Sequence, residues 1–178
     1  AFKAPSSNEL ARDYLWRVHN AVPAKGRIGI FDRSHYEDVL VVKVRGFAPA
    51  EAVEQRYGQI NAFEKHLTEN DVTIVKCMLN VGYEEQGIRL AERLEEPHKL
   101  WKFNPEDLED RKLWPEFMAA YEAAIARCST RHAPWYVIPS DSRTRRNAMI
   151  ARLVRGALEG MNLEWPSSKY KPGDFEIG

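Results

Sequence analysis

The sequence carries no net charge, because its 26 basic and 26 acidic residues cancel. A protein that binds nucleic acid or an anionic membrane through its overall electrostatic field needs an excess of positive charge. We therefore expect neither nucleic acid nor a membrane as a partner. Any polyanion that binds must be held by a local cluster of cations.

Cysteines and long apolar runs are also scarce. Cys77 and Cys128 lie in apolar segments without CxxC or histidine ligand spacing, which is typical of core thiols in a reducing compartment and not of a zinc site. No apolar run reaches the ~20 residues that a bilayer-spanning helix needs, and no signal peptide opens the sequence. We expect a cytoplasmic protein.

Its 178 residues are 44% hydrophobic, which suits one globular domain with a full core.

Strand-like and helix-like patterns alternate along the chain. Apolar residues at helical spacing predict helices over residues 6–20, 49–70, 83–94, 115–128 and from 142 onward. Short β-branched runs predict strands over 27–31, 71–79 and 135–138. Residues 39–44 are compatible with a strand or a buried helix. The alternation predicts an α/β fold with a parallel sheet.

One acid and one arginine follow the first predicted strand. Asp32 and Arg33 stand where that strand ends, and ligands of α/β sheets bind at the carboxyl ends of the strands. In phosphoryl transfer, a carboxylate so placed holds Mg²⁺ or positions the attacking oxygen, and an arginine neutralises phosphate charge. The alternative interpretation is a helix-capping aspartate beside an arginine in a salt bridge.

Three further arginines occupy positions that need an anion. Arg17 shares the buried side of the first predicted helix, where it needs either a structural carboxylate or a bound phosphate. Arg143 and Arg146 lie in the first turn of the last helix, next to the end of a strand. Both could bind phosphate with help from the helix N-terminus, or form salt bridges with Asp141 or a neighbouring loop.

Residues 89–112 are rich in charge of both signs. The alternation of cations with acids there is what a solvated, salt-bridged surface shows. The functional interpretation is a mobile lid that brings cations over a phosphate chain. The cations of the proposed lid are Arg89, Arg93, Lys99 and Lys102.

Five segments, taken in order, resemble the type 2 polyphosphate kinase family. They are residues 2–5 (FKAP), 13–17 (DYLWR), 31–38 (FDRSHYED), 97–102 (PHKLWK, followed by Asp107 and Arg111) and 133–137 (APWYV). The resemblance implies a three-layer P-loop kinase-like fold, in which helices and a helical lid surround a parallel sheet. It also implies a homo-oligomer that transfers phosphoryl groups between inorganic polyphosphate and AMP, ADP or ATP with Mg²⁺ as cofactor.

The resemblance assigns roles to individual residues. It implies that Asp32 is the acid of the second nucleotide-binding motif, close to Mg²⁺ and the accepting phosphate, and that Arg33 contacts the phosphates. It implies lid roles for the four cations named above. It associates Glu37 with the subgroup that accepts both nucleoside mono- and diphosphates.

The sequence departs from the family pattern at one place. The glycine-rich phosphate loop, of the type G-x-x-x-x-G-K, is not found in these residues. We therefore expect residues 1–178 to be the C-terminal portion of the kinase and to be inactive alone. The resemblance implies that a further, central strand belongs between the 27–31 and 71–79 segments. Two other hypotheses stay open: an ATP-dependent nucleoside monophosphate kinase, and a non-catalytic polyanion-binding or oligomerisation module.

Overall fold

A computed structural model describes residues 1–176. Its helices are α1 (Ser7–Leu10), α2 (Trp16–His19), α3 (Val41–Val44), α4 (Ala50–Glu69), α5 (Tyr83–Glu95), α6 (Glu106–Lys112), α7 (Trp114–Cys128) and α8 (Arg143–Gly160), and its strands are β1 (Lys76–Asn80) and β2 (Trp135–Pro139). Two 3-10 turns, His35–Asp38 and Leu100–Lys102, precede α3 and α6. No helix among residues 1–176 is long and apolar enough to cross a membrane.

The two strands pair in parallel, which confirms the predicted α/β sheet. Lys76 is in register with Trp135, and Asn80 with Pro139. Because parallel strands end at the same edge, the loops after β1 and β2 meet there. The Gly82 N–H donates to Asp141 Oδ1 at 2.7 Å, so a carboxylate of the β2–α8 loop already lies at the N-terminus of α5.

The core forms where α4 and α7 pack against the segment from Tyr36 to Val44. The stripe predicted on α4 is confirmed, since Val53, Tyr57, Ile60 and Leu67 are buried and Phe63 is half-buried. On α7, the buried positions are Ala120, Ala124 and Cys128. These small side chains let the two helix backbones approach closely, while the larger apolar residues Phe117, Tyr121 and Ile125 are only half-buried.

The predicted strand over residues 27–31 is wrong. Those residues form no strand, and the side chains of Ile28 and Ile30 are 73% and 91% exposed. A strand needs a neighbouring backbone to complete its hydrogen bonds, and within the described residues neither β1 nor β2 lies beside this segment. One backbone hydrogen bond, from Phe2 N to Asp32 O at 3.1 Å, holds its end.

Two predicted boundaries also change. The helix predicted over 6–20 divides into α1 and α2, because the Asp13 carboxylate accepts the N–H groups of Leu15 and Trp16, at 3.0 Å each, and starts a new helix. β1 begins only at Lys76, since residues 72–75 have no strand partner. The helix predicted from residue 142 onward forms as α8, and none of its residues is fully buried.

Candidate active site

Asp32 and Arg33 lie on an exposed loop between residue 31 and the His35–Asp38 turn. The Asp32 carboxylate accepts no hydrogen bond and forms no ion pair among residues 1–176. Ser34 caps the turn instead, because its Oγ accepts the Tyr36 N–H at 3.3 Å. The helix-cap interpretation of Asp32 is therefore wrong, and its charge is available to a ligand.

Arg33 adopts an unusual backbone conformation. Its φ is +62°, in the left-handed region that a non-glycine residue enters at a cost of roughly 1–2 kcal/mol. Its guanidinium is 63% exposed and stands 3.9 Å from Glu37 Oε2, so the pairing is loose. An exposed cation on a strained backbone therefore follows the uncommitted carboxylate of Asp32 in the chain.

Glu37 is the half-buried acid of this loop. Burial raises the pKa of its carboxyl above the usual value, and the nearby charges of Arg33 and Arg17 offset part of that rise. Arg17 itself is 12% exposed, donates to Lys3 O at 2.9 Å and stands 3.8 Å from Glu9 Oε1. The anion expected beside Arg17 is thus partly supplied by the protein, and a phosphate contact for Arg17 stays a prediction.

A buried polar cluster lies beneath this loop, and its residues are not among those predicted from the sequence. Lys76 Nζ donates to Glu64 Oε2 at 2.5 Å, to Tyr36 OH at 2.8 Å and to the Cys128 carbonyl at 2.8 Å. The Tyr36 hydroxyl donates to Glu64 Oε1 at 2.9 Å, and His35 Nε2 lies 3.2 Å from the same oxygen. Two signals were present in the sequence: Glu64 continues the apolar stripe of α4 at the position between Ile60 and Leu67, and Lys76 interrupts a buried strand.

The cations of the proposed lid are mostly paired with neighbouring acids. Arg93 Nη1 lies 2.9 Å from Asp107 Oδ2, and Lys99 Nζ lies 2.7 Å from Glu96 Oε1 and 3.5 Å from Glu92 Oε2. These are the salt bridges that the surface interpretation of this segment predicts.

Of the two remaining lid cations, Arg89 has backbone carbonyls as partners in addition to an acid, and Lys102 has no acid partner among the described residues. Arg89 pairs with Glu85 at 2.7 Å and donates to the carbonyls of Ser140 at 2.8 Å and Asp141 at 2.9 Å, which ties α5 to the β2–α8 loop. Lys102 has no ion-pair partner within the described residues and stands 5.1 Å from the Trp101 ring. Among the four, Lys102 is therefore the cation most available to an incoming anion.

Arg143 and Arg146 lie in the first turn of α8, which follows the carboxyl end of β2. Arg143 Nη2 is 3.7 Å from Glu92 Oε2, which also receives Lys99, so α8 and the proposed lid share one carboxylate. Arg146 donates to the Asn147 side-chain oxygen at 3.1 and 3.0 Å. Neither arginine forms the alternative salt bridge to Asp141, whose Oδ1 accepts the Gly82 N–H.

Arg111 anchors the C-terminal end of the proposed lid to α5. Its guanidinium lies 3.5 Å from the centre of the Tyr83 ring and donates to Tyr83 O at 2.7 Å and to Gln86 Oε1 at 2.5 Å. It also covers Gly87, where an added Cβ would be 2.9 Å from Arg111 Nη2. On the other side of α6, Arg45 Nη2 reaches Asp110 Oδ1 at 2.5 Å.

The residues around Asp32 suit Mg²⁺ more than a metal enclosed by protein ligands. No group of three or more acidic, histidine or cysteine side chains able to hold a metal occurs in residues 1–176. Mg²⁺ is usually bound through one or two carboxylates, with phosphate oxygens and water as its other ligands. The uncommitted carboxylate of Asp32 fits that donor set.

The parallel pairing of β1 and β2 and the helices around them place the chain in the class of α/β proteins, and solved polyphosphate kinases share its fold. The crystal structure of polyphosphate kinase 2 from Arthrobacter aurescens TC1 superposes with a TM-score of 0.92 at 45% identity, covering 96% of this chain and 60% of that one. A putative polyphosphate kinase 2 from Pseudomonas aeruginosa superposes with a TM-score of 0.87 at 33% identity, covering 89% of this chain and 34% of that one.

The model of the family "Polyphosphate kinase 2 (PPK2)" matches residues 1–166, so the chain belongs to the polyphosphate kinase 2 family. An AMP/ADP-polyphosphate phosphotransferase from Meiothermus ruber is 49% identical over 166 residues, covering 93% of this chain and 62% of the relative. An ADP-polyphosphate phosphotransferase from Rhodopseudomonas palustris is 36% identical over 180 residues, covering 94% and 62%. The chain thus spans about three fifths of the length of these two relatives.

Proposed function

We propose that the protein carrying this chain transfers a phosphoryl group between inorganic polyphosphate and a nucleoside mono- or diphosphate, with Mg²⁺. The observation that supports this most is the free carboxylate of Asp32 beside the strained, exposed Arg33, in a chain that belongs to the polyphosphate kinase 2 family. The Meiothermus and Rhodopseudomonas relatives are named as polyphosphate phosphotransferases of AMP and ADP, which supports the same reaction class and acceptors for this protein.

The reaction exchanges one P–O bond for another. The bond between the terminal phosphoryl group and the rest of the polyphosphate breaks, and a bond forms to the terminal phosphate oxygen of AMP or ADP, giving ADP or ATP. The transition state is loose, so the protein contributes mainly position and charge stabilisation. Mg²⁺, when bound, neutralises charge that develops on the phosphate oxygens.

The residues of this chain divide that work. Asp32 binds Mg²⁺ or positions the accepting phosphate, and Arg33 neutralises the phosphoryl group in transfer. Glu37, half-buried next to Arg33, contributes to the choice of acceptor. Further along the polyanion, contacts come from the lid cations and from Arg17, Arg143 and Arg146. We also infer a cytoplasmic homo-oligomer.

Donor competition tests the proposal. The full-length protein is supplied with AMP or ADP and with either polyphosphate or ATP as donor, and nucleotide products are separated and quantified. Polyphosphate-dependent formation of ADP and ATP supports the proposal. Strict dependence on ATP would indicate a nucleoside monophosphate kinase, and tight polyphosphate binding without turnover would indicate a non-catalytic polyanion-binding protein.

A further inference from the structure

The cluster beneath the Asp32 loop joins four parts of the chain at one ammonium group. Lys76 is the first residue of β1, Glu64 belongs to α4, Tyr36 belongs to the 3-10 turn, and the Cys128 carbonyl ends α7. The Glu64 side chain is fully buried and that of Lys76 is only 6% exposed. The ammonium also lies 5.1 Å from the centre of the Tyr36 ring.

Such a cluster is a poor way to gain stability. Removing two charges from water costs several kcal/mol for each ion, and a buried ion pair often recovers no more than an apolar replacement would. Burial lowers the pKa of Lys76, and hydrogen bonding to Glu64 opposes that change. In addition, His35 Nδ1 is buried without a hydrogen-bond partner in the described part of the chain. The buried charges and the unpaired His35 nitrogen lie together, directly under the exposed loop.

What the cluster does hold is the backbone that follows Arg33. The strained conformation of Arg33 persists only if the surrounding structure determines it. On one side the loop is tied by a single backbone bond at Asp32. On the other side it is tied by His35 and Tyr36, whose side chains both reach Glu64.

We propose that Tyr36, Glu64 and Lys76 are positioning residues for phosphoryl transfer. They fix the His35–Asp38 turn against α4 and β1 and so set the place and backbone conformation of Asp32 and Arg33. The inference rests on the proposed function and adds to it residues that do not touch substrate. A misplacement of about 1 Å at a reacting group can reduce the rate by up to ~100-fold, so such support has a kinetic consequence.

Tyr36→Phe is the sharpest test, because it removes the hydroxyl and keeps the ring that packs against Trp135 at 4.7 Å between centroids. The matched control is Tyr57→Phe, since Tyr57 belongs to the same core but, within residues 1–176, its hydroxyl accepts a hydrogen bond only from Lys43 Nζ, at 3.5 Å. In the full-length protein, we expect Tyr36→Phe to lower kcat about tenfold with little change in KM for polyphosphate. The control should keep both constants. Equal kcat in the wild type and Tyr36→Phe, or an equal loss in the control, would overturn the proposal.

A pair of charge variants separates positioning from stability. Glu64→Gln alone leaves the Lys76 ammonium buried without its carboxylate and should lower Tm. Glu64→Met combined with Lys76→Met removes both charges together with the oxygen that accepts the Tyr36 hydroxyl, and it should recover Tm. We expect kcat to stay low in the double variant although its Tm recovers. If kcat recovers together with Tm, the cluster is structural only and the proposal fails.

Amide hydrogen exchange provides a readout that needs no substrate. Tyr36→Phe should speed exchange in peptides covering residues 31–38 and leave peptides from α7 unchanged, while Tyr57→Phe should not affect 31–38. Unchanged exchange over 31–38 in Tyr36→Phe would overturn the proposal. A wild-type protein without polyphosphate turnover would instead refute the proposed function, whatever the exchange shows.

Discussion

Two glycines in the middle of helices offer a direct measurement of how firmly the proposed lid is anchored. At Gly58 in α4, a Cβ added to the backbone would have no atom within 4 Å, whereas at Gly87 in α5 an added Cβ would lie 2.9 Å from Arg111 Nη2 and 3.2 Å from its Cζ. Replacing either glycine by alanine raises helix propensity by the same amount, about 1 kcal/mol. The difference between the two variants therefore reports the interaction with Arg111.

The expected magnitudes follow from the contacts of Arg111. To admit a methyl group at residue 87, the guanidinium must move off the Tyr83 ring and weaken its bonds to Tyr83 O and Gln86 Oε1. Hydrogen bonds from a charged donor contribute about 1.5–3 kcal/mol when protected from water, and screening at this partly exposed site leaves about 1–2 kcal/mol for the whole set. We expect Gly58→Ala to raise Tm by about 2–4 °C, and Gly87→Ala to leave Tm unchanged or lower it.

Thermal unfolding followed by circular dichroism measures both variants, and a double-mutant cycle completes the test. In an Arg111→Ala background the obstacle is gone, so Gly87→Ala should show the full gain of about 1 kcal/mol that Gly58→Ala shows. Hydrogen exchange should also be faster over residues 100–112 in Gly87→Ala than in the wild type. Equal stabilisation by Gly87→Ala in both backgrounds would refute the assignment of Arg111 as the anchor of α6.

Three further predictions concern the site itself. Asp32→Asn should reduce turnover about a hundredfold or more. Because Asp32 is exposed, the same change should shift the free energy of unfolding by less than about 0.5 kcal/mol. Normal turnover with normal Mg²⁺ dependence would show that Asp32 is not part of the site. Lys102→Ala should weaken polyphosphate binding about tenfold and make its salt dependence shallower, whereas the exposed control Lys65→Ala should match the wild type. Parallel salt curves with equal affinities in Lys102→Ala and the wild type would show that Lys102 does not contact polyphosphate. Because burial raises the pKa of Glu37, its carboxyl contributes stability below the usual carboxyl pKa, and this contribution is lost as pH rises through the folded-state pKa. Glu37→Gln should therefore raise Tm at pH 7 and not at pH 4. An equal effect on Tm at both pH values would contradict this.

Sequence predicts best those parts of the fold in which an apolar pattern repeats many times. Helix α4 runs through five turns, so its apolar stripe is repeated often enough to be unambiguous. The segment 27–31 shows the opposite case. Its apolar residues indicate a preference for burial, but the strand requires a pairing partner that no local pattern specifies. The same limit explains why β1 starts later than its apolar run.

For the site, sequence identifies residue types better than it identifies partners. Asp32 and Arg33 stand out through their position after an apolar run, and the structure leaves both exposed. The pairing of Arg93 with Asp107 could not be chosen from the sequence, because several acids lie at similar spacing. Glu64 was missed because a charged residue within an apolar stripe is ordinarily assigned to the helix surface, and its burial depends on Lys76 arriving from another element.

The salt bridges of residues 89–112 have a consequence for selectivity. Arg93 and Lys99 each carry a counterion supplied by the chain itself, so a small anion that meets one of them must displace a covalently tethered carboxylate and gains little. A polymer behaves differently, because its successive charges are linked and each exchange raises the effective concentration for the next. Under the proposed function, this segment would therefore discriminate between anions by their valence and favour long phosphate chains over small single anions.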